Sequence, residues 1–254
     1  MEVTILGSGT SSGVPRVGND WGQCDPSNPK NRRRRVSILI SHEGARILVD
    51  TGPDLREQLL DADVADVDGV IWTHDHADHC HGIDDLRQLY HGRGRPVAGY
   101  ARADTLASLR RRFAYAFEGL GGYPPVVAAN LLADHMNLGG ISVQVVDQPH
   151  GDITTAGLRF DAGGCSIVYS TDFNELTPEM AIRFEGVDLW IVDSLRRRPH
   201  PTHPHLALAL EWIEQVRPRR ALLTHMDNTM DYETLRAELP EGVEPAYDGL
   251  EIRL

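Results

Sequence analysis

The stretch Thr73-His74-Asp75-His76-Ala77-Asp78-His79 constrains this chain more than any other. It packs three imidazoles and two carboxylates into the residues from His74 to His79, directly after the apolar run Gly69-Val70-Ile71-Trp72. An apolar run of that kind, closed by polar residues, reads as a buried strand. Polar groups crowded at its end need partners, because buried imidazole and carboxylate are costly when left unpaired. Both are the usual ligands of zinc and related divalent ions. A loop can aim His74 and His76 one way and Asp78 and His79 another, so that one short segment serves two metals.

The rest of the chain supplies a frame for such a loop. Strand-like runs cover Val3 to Leu6, Val36 to Ile40, Ile47 to Val49, Val70 to Trp72, Ile141 to Val146, Leu158 to Ala162, Ser166 to Tyr169, Leu189 to Val192 and Ala221 to Leu223. A hairpin turn is expected at His42-Glu43-Gly44. Helical periodicity marks Asp54 to Leu60, Asp84 to Tyr90, Asp104 to Phe117, Leu206 to Val216 and Tyr232 to Leu239. Asp104 is placed to cap its helix. Gly119 to Pro125 reads as a loop. Many strands with interspersed helices predict an α/β chain built as an αββα sandwich. With no linker or repeat in view, residues 1–254 are expected to form a single domain.

Composition narrows the functional classes. Lys plus Arg number 25 against 37 Asp plus Glu, a formal charge of −12, which argues against a non-specific nucleic-acid binder. The three cysteines, Cys24, Cys80 and Cys165, are scattered and predict no disulfide framework. The opening residues lack a basic region followed by a long apolar run, and no stretch is long enough to span a bilayer. A soluble cytoplasmic protein is the expectation, with no membrane partner.

The loop from Thr73 to His79 resembles the HxHxDH signature of the metallo-β-lactamase superfamily, and further motifs follow in the family's order. Asp50, in Ile47-Leu48-Val49-Asp50-Thr51-Gly52, resembles the first. His150 resembles the third, Asp172 in Tyr169-Ser170-Thr171-Asp172 the fourth, and His225 in Leu222-Leu223-Thr224-His225 the fifth. The resemblance covers essentially the whole chain. It implies two mixed β-sheets flanked by helices and two divalent ions, zinc or manganese, with iron also suited to these donors. One ion would take His74, His76, His150 and Asp172. The other would take Asp78, His79, His225 and the shared Asp172. Asp50 would orient the ligand loop rather than bind metal.

Two further segments are similar to PhnP-type enzymes, which open cyclic phosphates on ribose. They are Leu6-Gly7-Ser8-Gly9-Thr10-Ser11-Ser12-Gly13-Val14-Pro15 and Ala246-Tyr247-Asp248-Gly249-Leu250-Glu251-Ile252. That likeness implies a general-acid histidine upstream of the last motif. His200, His203 and His205 are the candidates, and His203 fits best by its distance before the following helix. Asp78 would also help to orient the nucleophile. Those enzymes hold an additional structural zinc on clustered cysteines, and with Cys24 alone in that region no structural cysteine zinc site is expected.

The reaction class implied is hydrolysis, with a small phosphate ester as substrate and a cyclic ribose phosphate or nucleotide favoured. A tRNA 3′-processing endonuclease is ranked lower, because no basic protruding arm is visible, and nucleic acid is expected only as a small nucleotide. A thioesterase or lactonase is the remaining alternative. A diiron redox relative would carry glutamate where His76 stands. Arg87 and Ser37 are weak candidates for phosphate contact. Arg32 to Arg35 read mainly as solvated basic surface, and Cys80 as a small buried residue. A homodimer is the expected assembly.

Overall fold

A computed structural model describes residues 1–254. The strands are β1 (Glu2–Gly7), β2 (Ser37–His42), β3 (Ala45–Val49), β4 (Gly69–Ile71), β5 (Val97–Ala101), β6 (Val127–Leu131), β7 (His135–Leu138), β8 (Ile141–His150), β9 (Ile153–Ala162), β10 (Cys165–Ser170), β11 (Leu189–Asp193), β12 (Ala221–Thr224), β13 (Val243–Pro245) and β14 (Glu251–Arg253). They form two seven-stranded sheets, ordered β14-β1-β2-β3-β4-β5-β6 and β13-β12-β11-β10-β9-β8-β7. Both sheets are mixed. In the first, pairing is antiparallel from β14 to β3 and parallel from β3 to β6. In the second, it is antiparallel from β7 to β10 and parallel from β10 to β13.

The central strands have apolar residues on both faces, and that dictates the layers. Ile38 and Ile40 point inward and Leu39 outward, and Ile47 and Val49 inward and Leu48 outward. In the second sheet Ile167 and Tyr169 face in while Val168 faces out. The inward residues of both sheets share one core. A strand buried on two sides needs a cover on its outer side. Over the first sheet it comes from α1 (Leu55–Asp61), α3 (Leu86–Arg93), α4 (Ala103–Arg112) and α5 (Ala114–Glu118). Over the second it comes from α6 (Pro178–Phe184), α7 (Leu206–Val216) and α8 (Tyr232–Glu238). One short helix, α2 (Ala77–Cys80), lies inside the histidine-rich loop. The αββα sandwich expected from the pattern is the fold observed.

The differences have local causes. The helix expected from Asp104 to Phe117 is broken at Phe113, whose backbone leaves the helical region (φ −123°, ψ 38°), and Arg102, not Asp104, occupies the cap. Asp104 lies in the first turn, where its charge suits the helix dipole. The strand expected at Ile141 to Val146 runs on to His150, and its partner begins at Ile153, so the two form one long hairpin. The helix α6 escaped notice, although Thr177 caps it through a bond from the Met180 amide and Pro178 opens it.

Candidate metal centre

Five strands deliver polar residues to one edge of the sandwich. Asp50 follows β3, the loop from Thr73 to His79 follows β4, Asp172 follows β10, Asp193 ends β11 and His225 follows β12. His150 ends β8 beside them. In α/β sheets the carboxyl ends of parallel strands are where ligands bind.

Three of these residues have left-handed backbones, Asp50 (φ 62°), Asp172 (φ 54°) and His225 (φ 58°). Non-glycine residues there cost on the order of 1–3 kcal/mol each, and such strain gathers at functional sites. The turn it enforces tips each side chain off the strand end toward the gap between the sheets.

Asp50 is fully buried and anchors the loop. It accepts from the Thr73 amide (2.8 Å) and from the Thr73 hydroxyl, and its Oδ2 lies 2.8 Å from His79 Nδ1. His79 therefore points Nε2 outward. His150 is fixed likewise, with Nδ1 2.9 Å from the Thr202 carbonyl. His74 Nδ1 lies 3.1 Å from the Thr73 hydroxyl. Asp172 occupies the middle. Its carboxylate lies 3.2 Å from His79 Nε2, 3.6 Å from His225 Nε2 and 3.9 Å from His150 Nε2.

Ligand atoms of His74, His76, His150 and Asp172 all fall within 4.8 Å of one another, as do those of Asp78, His79 and His225. These groups adjoin through Asp172 and fit a pair of divalent ions. A second observation supports the fit. His74 Nε2, His79 Nε2 and both ring nitrogens of His225 are buried without a hydrogen-bond partner. Buried polar atoms of this kind need something to satisfy them.

Among the side chains themselves the charges compensate one another. Burial pushes the Asp172 carboxyl up, but His225 and His79 outweigh it and hold it well below the usual carboxylate range. Asp78 is lowered as well, by His79 and His225 against its own burial. Burial lowers His225, yet Asp172, Asp193 and Asp78 raise it to about 9. His74 is lowered by burial and by its histidine neighbours, which leaves it in the neutral form a metal requires.

The family comparison agrees with this geometry. A model described as a beta-lactamase superfamily domain matches residues 45–226. The chain belongs to the metallo-β-lactamase superfamily. Its fold, its family and its paired His/Asp groups make it a metal-binding hydrolase of that superfamily. A solved structure of a diphosphatase from the PhnP family is 34% identical, with a TM-score of 0.91, and the match covers 99% of this chain and 96% of that one. An octanoyltransferase of Porphyromonas gingivalis is 32% identical over 99% of this chain but only 51% of its own length. The chain thus spans about half of that relative. Zinc-bound PqqB of Methylobacterium extorquens, at 21% identity and TM-score 0.78, shares the fold over 100% of both chains.

One residue of this metallo-β-lactamase site was missed in the sequence. Asp193 is fully buried, and its Oδ2 lies 2.8 Å from His203 Nδ1 and accepts from the Asp172 amide at 2.9 Å. It therefore ties His203 to the central carboxylate. The signal was present, because Asp193 closes an apolar strand run just as Asp50, Asp172 and His225 follow theirs. His203 stacks on His225 with ring centroids 4.9 Å apart and places Nε2 3.8 Å from Asp172. His200 packs against it at 5.0 Å, and His205 caps α7.

Three expectations need correction. Ser37 cannot reach a substrate, because it is fully buried and donates to the Val49 and Asp50 carbonyls. Arg87 pairs with Asp84 and lines a separate pocket with Tyr90, Tyr115 and Tyr123. The arginine run is not simply solvated surface. Arg33 is 2% exposed and donates to the carbonyls of Asp227 and Met230, while Arg34 and Arg35 pair with Asp61 and Asp54. Arg33 also faces Cys24, whose thiol burial pushes up. No helix is long and apolar enough to cross a membrane.

Proposed function

We propose that this chain is a phosphodiesterase that opens small cyclic ribose phosphates or nucleotides with two divalent ions. The observation that carries it is the Asp193–His203 pair set against Asp172. A superfamily hydrolase acting on an ester with a poor leaving group needs a positioned proton donor, and this is one. The likeness to a PhnP-family diphosphatase supports hydrolysis at phosphorus.

His74, His76 and His150 would hold one ion and Asp78, His79 and His225 the other, with Asp172 shared between them. Zinc, manganese and iron all suit these donors. Held there, the ions would supply an acidified water and positive charge at the phosphoryl oxygens. Asp50 fixes the ring of His79. Asp78 also orients the attacking water. His203 donates from Nε2 to the departing ribose oxygen, while its Nδ1–H stays on Asp193 and keeps the ring from turning.

The test is a panel given to the zinc- or manganese-loaded protein: 2′,3′-cyclic AMP, bis-p-nitrophenyl phosphate, a diphosphate diester, a tRNA precursor, a thioester and a lactone. Cyclic phosphate should be turned over best. His203→Ala should retain its metal and lose about 10²–10⁴-fold on cyclic phosphate, with a smaller loss on the nitrophenyl ester, whose leaving group needs no proton. Inert phosphates beside an active thioester or lactone would discard the reading.

A further inference from the structure

The histidines of the centre are not held alike. Asp50 fixes the ring of His79, the Thr202 carbonyl that of His150 and the Thr73 hydroxyl that of His74. No protein group bonds the ring of His76, which is also the exposed member of its set. That ring packs on two other ligands, His74 and His150, with centroids 4.5 and 5.3 Å away. Where the imidazole of His76 stands is therefore decided by its main chain.

That main chain is gripped from outside the loop. Asp75, which separates His74 from His76, gives its side chain to α4 rather than to the centre. Its Oδ2 accepts from the Ser108 hydroxyl and lies 3.4 Å from Arg112. Arg112 also donates to the Asp75 carbonyl. The other arm of the same guanidinium lies 2.7 Å from His81 Nε2, which accepts there because a guanidinium only donates. One side chain thus spans the loop from the residue before His76 to a residue beyond His79. On the buried side the Cys80 thiol donates to the carbonyls of Asp75 and His76 (3.3 and 3.1 Å).

The helix is built for this hold. Ser108 and Arg112 are four residues apart and share a face of α4. Leu106 and Leu109 are buried and fix the helix on the first sheet. The break at Phe113 makes Arg112 the last residue of α4, and the Phe113 ring backs both partners, 5.4 Å from the guanidinium and 5.8 Å from the His81 ring. Hydrogen bonds from a charged donor are about twice as strong as neutral ones.

We propose that Arg112, with Ser108, is a positioning residue for the ion that His74, His76 and His150 would hold. It fixes the loop at Asp75, so that the unsupported ring of His76 stands where that ion needs it. The inference rests on the assignment of His76 as a ligand and extends it to residues that bind no metal.

Zinc titration of the metal-stripped protein against a chromophoric chelator tests it without turnover. The wild type should take up two ions, and His76→Ala should weaken one of them. Arg112→Ala should weaken that same ion by about 10–100-fold, the usual weight of such outer contacts, and leave the other unchanged. Ser108→Ala should do so to a lesser degree. Arg112→Lys, which returns a charged donor to the Asp75 carbonyl, should recover part of the loss. The melting temperature of metal-free Arg112→Ala should stay close to that of the metal-free wild type, whereas loss of a mere brace would lower it. Both ions weakened alike together with a lowered metal-free melting temperature, or both left at full affinity, would overturn the positioning role. Two ions held at full affinity by His76→Ala would instead remove the ligand assignment, and the inference with it, whatever the Arg112 variants do.

Discussion

At the scale of single residues, the centre depends on where a few side chains are pinned. Asp193 is the sharpest case, because one carboxylate oxygen serves both the His203 ring and the Asp172 amide. Asp193→Asn should keep both ions, measured by metal analysis, and reduce turnover of a cyclic phosphate in the same direction as His203→Ala. Undiminished turnover would remove Asp193 from the positioning of the proton donor. A second acid, half-buried, makes a pH prediction. Asp248 is pushed up to about 6 by burial, against bonds from the Arg34 amide and from Ser8. Between about pH 4 and 6 the folded chain keeps a proton that the unfolded chain has released, so stability falls as pH rises through that window and levels off above it. The shift corresponds to about 3 kcal/mol. Urea unfolding of wild type and Asp248→Asn across the window should show a difference that changes with pH by that order. The metal-centre side chains were legible because their spacing is unusual for a fold and ordinary for a metal. Arg33 was not, since nothing in a run of four arginines marks which one is buried, and Asp193 went unassigned although it closes an apolar strand run.

At the scale of elements, the loops hold their shape because backbone passes against backbone. Gly52, after Asp50, shows how tightly, since a β-carbon there would stand 2.3 Å from the Asp78 carbonyl oxygen. The neighbour is main chain and cannot swing aside. Gly52→Ala should cost about 1–3 kcal/mol of stability and, by displacing Asp78, weaken binding of one ion more than the other, as competition with a chelator would show. Equal loss at both positions would mean that the strain spreads beyond the loop. Elements differ in how plainly they announce themselves. The strands read from sequence lie inside the sheets and carry apolar residues on one face or on both. The strands at the four edges, β14, β6, β13 and β7, went unread. Val127–Leu131 has one buried residue and His135–Leu138 likewise, so neither shows the alternation that marks a half-buried strand. Val97–Ala101 is interior, but its Gly99 leaves room for Trp72 at the expense of strand propensity.

At the scale of the whole molecule, the centre lies across the seam between the sheets. His74, His76, Asp78 and His79 come from the first, and His150, Asp172 and His225 from the second. Ions bound to both tie together layers otherwise held by their shared core, and anything that binds only the folded state raises its stability. Chelation should therefore lower the melting temperature, and restored zinc or manganese should recover it. A melting temperature indifferent to chelator would mean that the seam needs no ion. The layered fold was legible from strand patterning and from the order of the motifs. The two ion positions also differ in access. His76 is exposed, while Asp78, His79 and His225 are all buried. An ion held in the first position would meet water through His76, whereas one held in the second would be screened from it by its own ligands. The exposed position would trade its ion with the surroundings more readily than the buried one, so that the two could come to hold different metals.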